Sequence, residues 1–223
     1  MKVLLPILII IIVGGFFYFK SSNKNKVEKP SDTVIMPEGE EVSKDLQGNF
    51  VFDTEASSAK WTGSKKIIKD YYDSGSIKIQ SGNVSFKDGN IESGEIVFDM
   101  TSITGQETSN KSYPIAKLDE HLKSEDFFDV EKFPEAKYVV TSSTKTDAGY
   151  DLTGDLTLKG KTAPLDIKLG TAMDNGNALM TGVAEVDRSK WDVKYGSESF
   201  FDSLGDNVIN DVFTLEFNIV ARP

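Results

Sequence analysis

Residues Asp151–Leu169 read DLTGDLTLKGKTAPLDIKL. Leu152, Gly154, Leu156 and Leu158 fall on one face and Thr153, Asp155, Thr157 and Lys159 on the other. That period of two belongs to a half-buried strand. Lys159-Gly160-Lys161 follows as a turn, and Leu165, Ile167 and Leu169 resume the alternation after Pro164. A connection this short joins antiparallel strands, because a parallel crossover needs a dozen or more residues.

The same pattern extends in both directions. Upstream, Phe50 and Phe52, Ile77 and Ile79, Val84 and Phe86, then Ile96, Phe98 and Met100 each hold one face; Tyr138 and Val140 follow. Downstream, Phe213, Leu215, Phe217 and Ile219 alternate with Thr214, Glu216 and Asn218. Lys87-Asp88-Gly89-Asn90, Asp147-Ala148-Gly149 and Asp174-Asn175-Gly176-Asn177 supply further turns. One helical insertion is predicted around Ile115 to Phe128, where Leu118, Leu122 and Phe127 share a face. The body is therefore all-β, with about eight antiparallel strands. A closed barrel removes aggregation-prone edges; a two-sheet sandwich would show nearly the same alternation, and periodicity does not separate them. Gly154, Gly182 and Ala184 are small residues in strand-like runs, where they would leave interior space.

Composition narrows the function. The 223 residues carry 25 Lys+Arg against 35 Asp+Glu, a formal charge of −10. Such a chain lacks the cationic footprint that nucleic acid requires, and an anionic membrane surface would not attract it. Zero cysteines exclude disulfides, thiol catalysis and Cys-ligated metals, and a single histidine, His121, excludes a multi-histidine metal site. No Ser-His-Asp constellation or phosphate-cradling glycine motif is present, so catalysis and a bound cofactor are not expected.

Residues 1–20 stand apart. Val3–Phe19 is uncharged and apolar, ends in Phe16-Phe17-Tyr18-Phe19, and is closed by Lys20. As a helix it would span roughly 25 Å, slightly under a bilayer's hydrocarbon core of roughly 30 Å. Length and the aromatic end favour an uncleaved inner-membrane anchor over a signal peptide, for which no Ala-x-Ala site follows. Either reading exports the body: tethered in the periplasm if the segment stays, secreted if it is cut. Residues 21–45 are polar, with two prolines, and read as a tether; a first strand around Val34-Ile35-Met36 is the alternative. Residues 46–223 form the body.

Three blocks in order resemble the YceI-like family: KLDEHLKSEDFFDVEKFPEAKY at Lys117–Tyr138, DLTGDLTLKGKTAPLDIKL at Asp151–Leu169, and EVDRSKW at Glu185–Trp191. FVFDTEASSAKWTGSK from Phe50 and FDMTSIT at Phe98–Thr104 also look like the family. The resemblance implies a lipocalin-like, eight-stranded antiparallel barrel around an apolar tunnel, in an exported protein that binds long hydrophobic molecules such as polyisoprenoids or fatty-acid amides. Two positions depart from it: Tyr72-Asp73-Ser74-Gly75 stands where related chains often have His-Asn/Asp-Gly, and Trp191-Asp192 where an aromatic-Gly is common.

The expected partner is thus a long apolar small molecule in the lumen, with membrane contact only through the N-terminal segment. Candidate lumen and mouth residues are Trp61, Phe98, Phe127, Phe128, Tyr138, Leu156, Trp191 and Phe217, with His121 and Arg188 as polar candidates. His121, in a helical segment, reads as structural before it reads as a base. Asp187-Arg188 reads first as a rim ion pair and second as a head-group contact. Phe200-Phe201 plugs the mouth or packs beneath loops. The acidic run Glu125 to Glu131 lacks calcium-loop spacing and reads as solvated; Lys65-Lys66-x-x-Lys69 reads first as solvated and second as a contact for an anionic head group. The rival functions are an exported interaction module using its outer face and, third, an enzyme using His121 with a carboxylate.

Overall fold

The computed structural model describes residues 46–223. The anchor or signal segment, the tether and the strand alternative at Val34–Met36 lie outside the described residues. Among those described, no helix is long and apolar enough to cross a membrane.

The alternating segments form β1 (Gly48–Phe52), β2 (Ser58–Ser64), β3 (Tyr72–Lys87), β4 (Asn90–Thr108), β5 (Glu135–Thr146), β6 (Gly149–Leu158), β7 (Lys161–Asp174), β8 (Asn177–Asp187) and β9 (Val212–Arg222), with α1 (Ile115–Lys123) between β4 and β5. From β2 to β9 each strand pairs antiparallel with the next in sequence. The ring closes where the first strands meet the last: Ser58–Thr62 lies against Asn218–Thr214, and Val51–Phe52 against Arg222–Ala221. The sheet is thus an up-and-down barrel, not a sandwich.

Nine strands make eight staves, because β1 and β2 occupy one slot between β3 and β9. The break between them is held by Asp53, whose Oδ1 accepts from the N–H groups of Glu55 and Ala56 at 3.2 Å each. Ser57 Oγ donates to the Asp53 carbonyl at 2.6 Å and accepts from Val220 N–H at 3.1 Å. Arg222 pairs with the Asp53 carboxylate.

The two ends differ because their connections differ. At one end the hairpins Asp88-Gly89 and Asn175-Gly176 turn in two residues, all four with positive φ between 49° and 84°, the geometry that matches strand twist. Leu46 is buried at this end, and Gln47 Oε1 accepts from Asp88 N–H at 2.8 Å. Phe50 meets Phe86 edge-on at 5.8 Å, Phe86 meets Tyr150 at 6.3 Å, and Tyr150 Oη donates to the Gly89 carbonyl at 2.6 Å. This end is closed.

At the other end lie the long connections 65–71, 109–134 and 188–211. β4 pairs with β5 only over Glu95–Asp99, so its last turns leave the neighbouring strand and are covered by α1 instead. Asp119 pins that helix: its Oδ1 accepts from Gly105 N–H at 2.6 Å and its Oδ2 from Thr104 Oγ1 at 2.9 Å. Leu118 rests on Gly105, where a Cβ would lie 2.8 Å from the leucine Cδ2. The helix stops at Lys123 rather than reaching Phe128. Ser124 turns extended, at φ −67° and ψ 167°, and its N–H caps the carbonyls of Glu120 and His121.

The small strand residues do not all open space as expected. A Cβ on Gly154 would overlap the Tyr138 ring, and one on Gly182 would overlap the Phe217 ring. These glycines receive the barrel's own aromatics, which fill its middle. Gly182→Ala is therefore expected to cost about 1–3 kcal/mol. Gly63→Ala, whose Cβ would meet nothing within 4 Å, should shift stability by less than about 0.5 kcal/mol. Guanidinium unfolding midpoints of the two variants check the difference.

Candidate functional site

Beyond the Tyr138 and Phe217 rings, toward the long loops, the barrel is hollow. Inward positions of the upper strands, Trp61, Ile77, Phe98, Met100, Leu156 and Leu215 among them, enclose a chamber of about 100 Å3 with an almost wholly apolar lining. α1 and the loop after it lay Leu122, Phe127 and Phe128 across the top. Phe127 and Phe128 meet edge-on at 4.9 Å, and Phe128 meets Phe213 at 6.4 Å. Lys159 holds this loop down from the β6–β7 turn: its Nζ donates to the Phe127 carbonyl at 2.5 Å and to that of Glu125 at 2.9 Å.

A second space of about 250 Å3 adjoins the first and shares Trp61, Gly63, Leu122, Phe127 and Ile209 with it. This vestibule is polar on one side, where Lys65, Tyr71, Asp73, Asn110, His121 and Tyr195 face it. Tyr71 Oη donates to Asp73 Oδ2 at 3.1 Å, and burial, reinforced by the Asp73 charge, pushes the phenol up to about 12. Lys65 Nζ sits 5.1 Å over the Tyr71 ring. Trp61, on the wall common to both spaces, is held by its Nε1 donating to the Thr104 carbonyl at 3.3 Å.

The ten candidate residues separate into four groups. Trp61, Phe98, Phe127, Phe128, Leu156 and Arg188 line the inner chamber. His121 lines the vestibule. Tyr138 and Phe217 belong to the filled half, around a residual pocket of about 40 Å3. Trp191 reaches none of these spaces: it is fully buried, with Nε1 donating to the Leu156 carbonyl at 2.8 Å. Phe200 and Phe201 are 39% and 49% exposed and do not belong to the buried core beneath the loops. Ile103, Leu158, Val186 and Phe213 also line the chamber and were not singled out from the sequence. Alternation placed Leu158 and Phe213 on inward faces, whereas Ile103 falls out of phase with Ile96, Phe98 and Met100, opposite a stretch of β3 where the register shifts; nothing in the period marked the hollow half.

Arg188 is not a rim charge. It is 1% exposed and donates from Nε to the Asn210 carbonyl at 3.2 Å, from Nη1 to Val193 at 2.6 Å and from Nη2 to Ile209 at 3.2 Å. Its ionic partner is Asp211 at 3.3 Å, while Asp187 instead caps the following 3₁₀ turn by accepting from Ser189 N–H. The guanidinium lies 5.4 Å over the Phe127 ring. Burial lowers its pKa against the pull of Asp211 and Asp187. With each nitrogen engaged, Arg188 ties the 188–193 segment to 209–211. Arg188→Met, which strands Asp211, should cost about 3 kcal/mol in a denaturant titration.

His121 meets Tyr195 at 4.2 Å and Phe127 at 5.5 Å, and its buried Nε2 has no hydrogen-bond partner among the described residues. Burial lowers its pKa below the ordinary 6.5, partly opposed by Asp126. The unfolded chain therefore binds a proton more readily than the folded one, and stability falls as pH drops below about 6.5. Comparing thermal midpoints of the wild type and His121→Phe from pH 7 to pH 5 should show the wild type losing more, before carboxylate titration dominates.

A closed eight-stave antiparallel barrel capped by a helix, with an apolar chamber behind a polar vestibule, defines a lipocalin-like class of barrel. The chain belongs to the YceI-like domain family, whose model matches residues 50–221. It is 40% identical over 95 residues to a UPF0312 protein of Pseudomonas putida, and 50% identical over 50 residues to one of Photorhabdus laumondii. These stretches cover 42% and 22% of this chain and 46% and 26% of those proteins, so the chain spans less than half the length of the curated relatives it matches. Among solved structures, Burkholderia cenocepacia BcnA superposes with a TM-score of 0.58 at 20% identity, covering 76% of this chain and 98% of that one. A polyisoprenoid binding domain from Saccharophagus degradans, implicated in plant cell wall breakdown, gives 0.55 at 16% identity, covering 78% and 97%. These two likenesses establish the shared fold.

Proposed function

We propose that the protein binds a molecule with an apolar chain, the chain in the inner chamber and the polar end in the vestibule, without transforming it. The observation that carries this is the chamber itself: an apolar hollow in the upper half of a barrel whose lower half is filled by its own side chains. Burying each methylene there is worth about 0.8 kcal/mol, reduced by the cost of association. The polyisoprenoid binding domain of Saccharophagus degradans, which shares the fold, supports an isoprenoid-like chain.

Size limits what fits. The chamber's roughly 100 Å3 is below the roughly 150 Å3 of an engineered cavity that admits benzene. A long chain therefore places only its terminal segment inside, unless Phe127 and Phe128 rotate away. The remainder runs out through the vestibule.

The geometry favours binding over catalysis. Among the described residues, the ring contacts of His121 are aromatic, and no carboxylate is hydrogen-bonded to it to orient it as a base. A second reading, a docking module, draws support from Ile67 at 58% exposure and Phe201 at 49%, both in loops framing the mouth. The protein is proposed to act outside the cytoplasm, held to the inner membrane by Val3–Phe19. Leu46, where the described residues begin, lies at the closed end, opposite the mouth.

Mass spectrometry of an organic extract of the purified protein should reveal a chain-bearing lipid. Phe98→Asp, which puts a charge on the chamber wall, should abolish loading, while the exposed Lys78→Asp should retain it. Val186→Phe, which fills the chamber without charge, provides a second variant should Phe98→Asp misfold. Equal loading of wild type and filled variant would reject the assignment.

A further inference from the structure

Two residues that line the vestibule each carry a buried polar atom without a partner among the described residues. One is Asp73 Oδ1, whose sister oxygen is taken by the Tyr71 hydroxyl; the other is His121 Nε2. A carboxylate oxygen only accepts, and an unmade hydrogen bond there is costly once water is displaced. The occupant that satisfies Asp73 brings an O–H or N–H donor. A phosphate or carboxylate end would instead bring a second negative charge against it.

Nearby cations give such an anion little relief. Arg188 has every nitrogen engaged by Asn210, Val193, Ile209 and Asp211. Lys159 is held by the carbonyls of Glu125 and Phe127. Lys65, the vestibule's one lysine, leans on the Tyr71 face and reaches the Asp206 carbonyl at 3.4 Å. It forms no ion pair with Asp73 among the described residues. The chain's charge of −10 adds a general repulsion. Burial disfavours the charged form of His121, against the opposing pull of Asp126.

We propose that this vestibule selects chain-bearing molecules by their polar end, accepting alcohol or amine ends through Asp73 and His121 and excluding phosphorylated ones. The proposal rests on the chain-binding reading above and names the ligand class for that same site. Asp73 is a specificity-determining residue here.

The test titrates the full-length protein with dodecanol, dodecylamine and dodecyl phosphate, kept below their micelle concentrations, by calorimetry and by tryptophan fluorescence. Trp61 lies on the wall of both spaces and reports occupancy, while Trp191 is buried away from them. The alcohol and the amine should bind at least tenfold more tightly than the phosphate. Asp73→Asn, which keeps the size and removes the charge, should narrow that gap at least threefold by raising affinity for the phosphate. Equal or tighter binding of the phosphate by the wild type would overturn the selectivity and leave chain binding intact. Failure of a folded wild type to bind any of the three would overturn the chain-binding reading and this proposal with it.

Discussion

Closure of the first strands against the last is the constraint from which the rest follows. Every other pairing from β2 to β9 joins neighbours in sequence, through two-residue turns at some places and the long connections 65–71, 109–134 and 188–211 at others. The ladder of Ser58–Thr62 with Asn218–Thr214, extended by Val51–Phe52 against Arg222–Ala221, spans nearly the whole body in sequence and converts a meander into a ring. Once eight staves close, the interior diameter is set, and inward side chains decide between a packed core and a cavity. The broken first stave matters for this reason. Asp53, Ser57 and Arg222 stitch its two halves to β9, so the ring closes along most of its height.

Within that fixed diameter the two ends take opposite courses. Two-residue hairpins at the closed end bring Phe50, Phe86 and Tyr150 together, and the glycines of β6 and β8 accept the rings of Tyr138 and Phe217. The same small residues that would leave a tunnel open instead allow large neighbours to cross it. At the other end β4 parts from β5, and the insertion that follows spans the gap with a short helix. Leu122, Phe127 and Phe128 roof the space but do not fill it. The resulting hollow is half the tunnel that a continuous lumen would offer.

Polar groups at the mouth divide into those that hold the loops and those that remain available. Arg188 and Lys159 spend their donors on backbone carbonyls and fix the segments around the opening. A buried guanidinium with one ionic partner contributes order more than net stability, since desolvation offsets the attraction. Asp73 and His121 belong to the second kind, set beside an apolar wall with hydrogen-bonding capacity in reserve.

The local grammar of strands and turns was legible from the chain by itself. Alternation at Leu152–Leu158 and Phe213–Ile219, and hairpin signals such as Asn175-Gly176, depend on neighbours in sequence and on backbone preferences that act over a few residues. Ordered blocks such as Glu185–Trp191 carried the family resemblance for the same reason, being contiguous. The break between β1 and β2 was not legible, nor was the helix stop at Ser124, because each is fixed by bonds to distant or non-repeating partners. Period two marked Tyr138, Phe217, Phe98 and Leu156 alike as inward. Which pair would fill the barrel and which would line a hollow depends on what stands across the lumen, and sequence distance does not encode that. Arg188 looked like a surface charge and proved to be a buried clamp, while Trp191 joined the core without reaching a cavity. The chain alone determined an antiparallel all-β body and which faces look inward; only closure in three dimensions, which sets side chains from opposite staves against one another, made it a barrel and decided where the interior is empty.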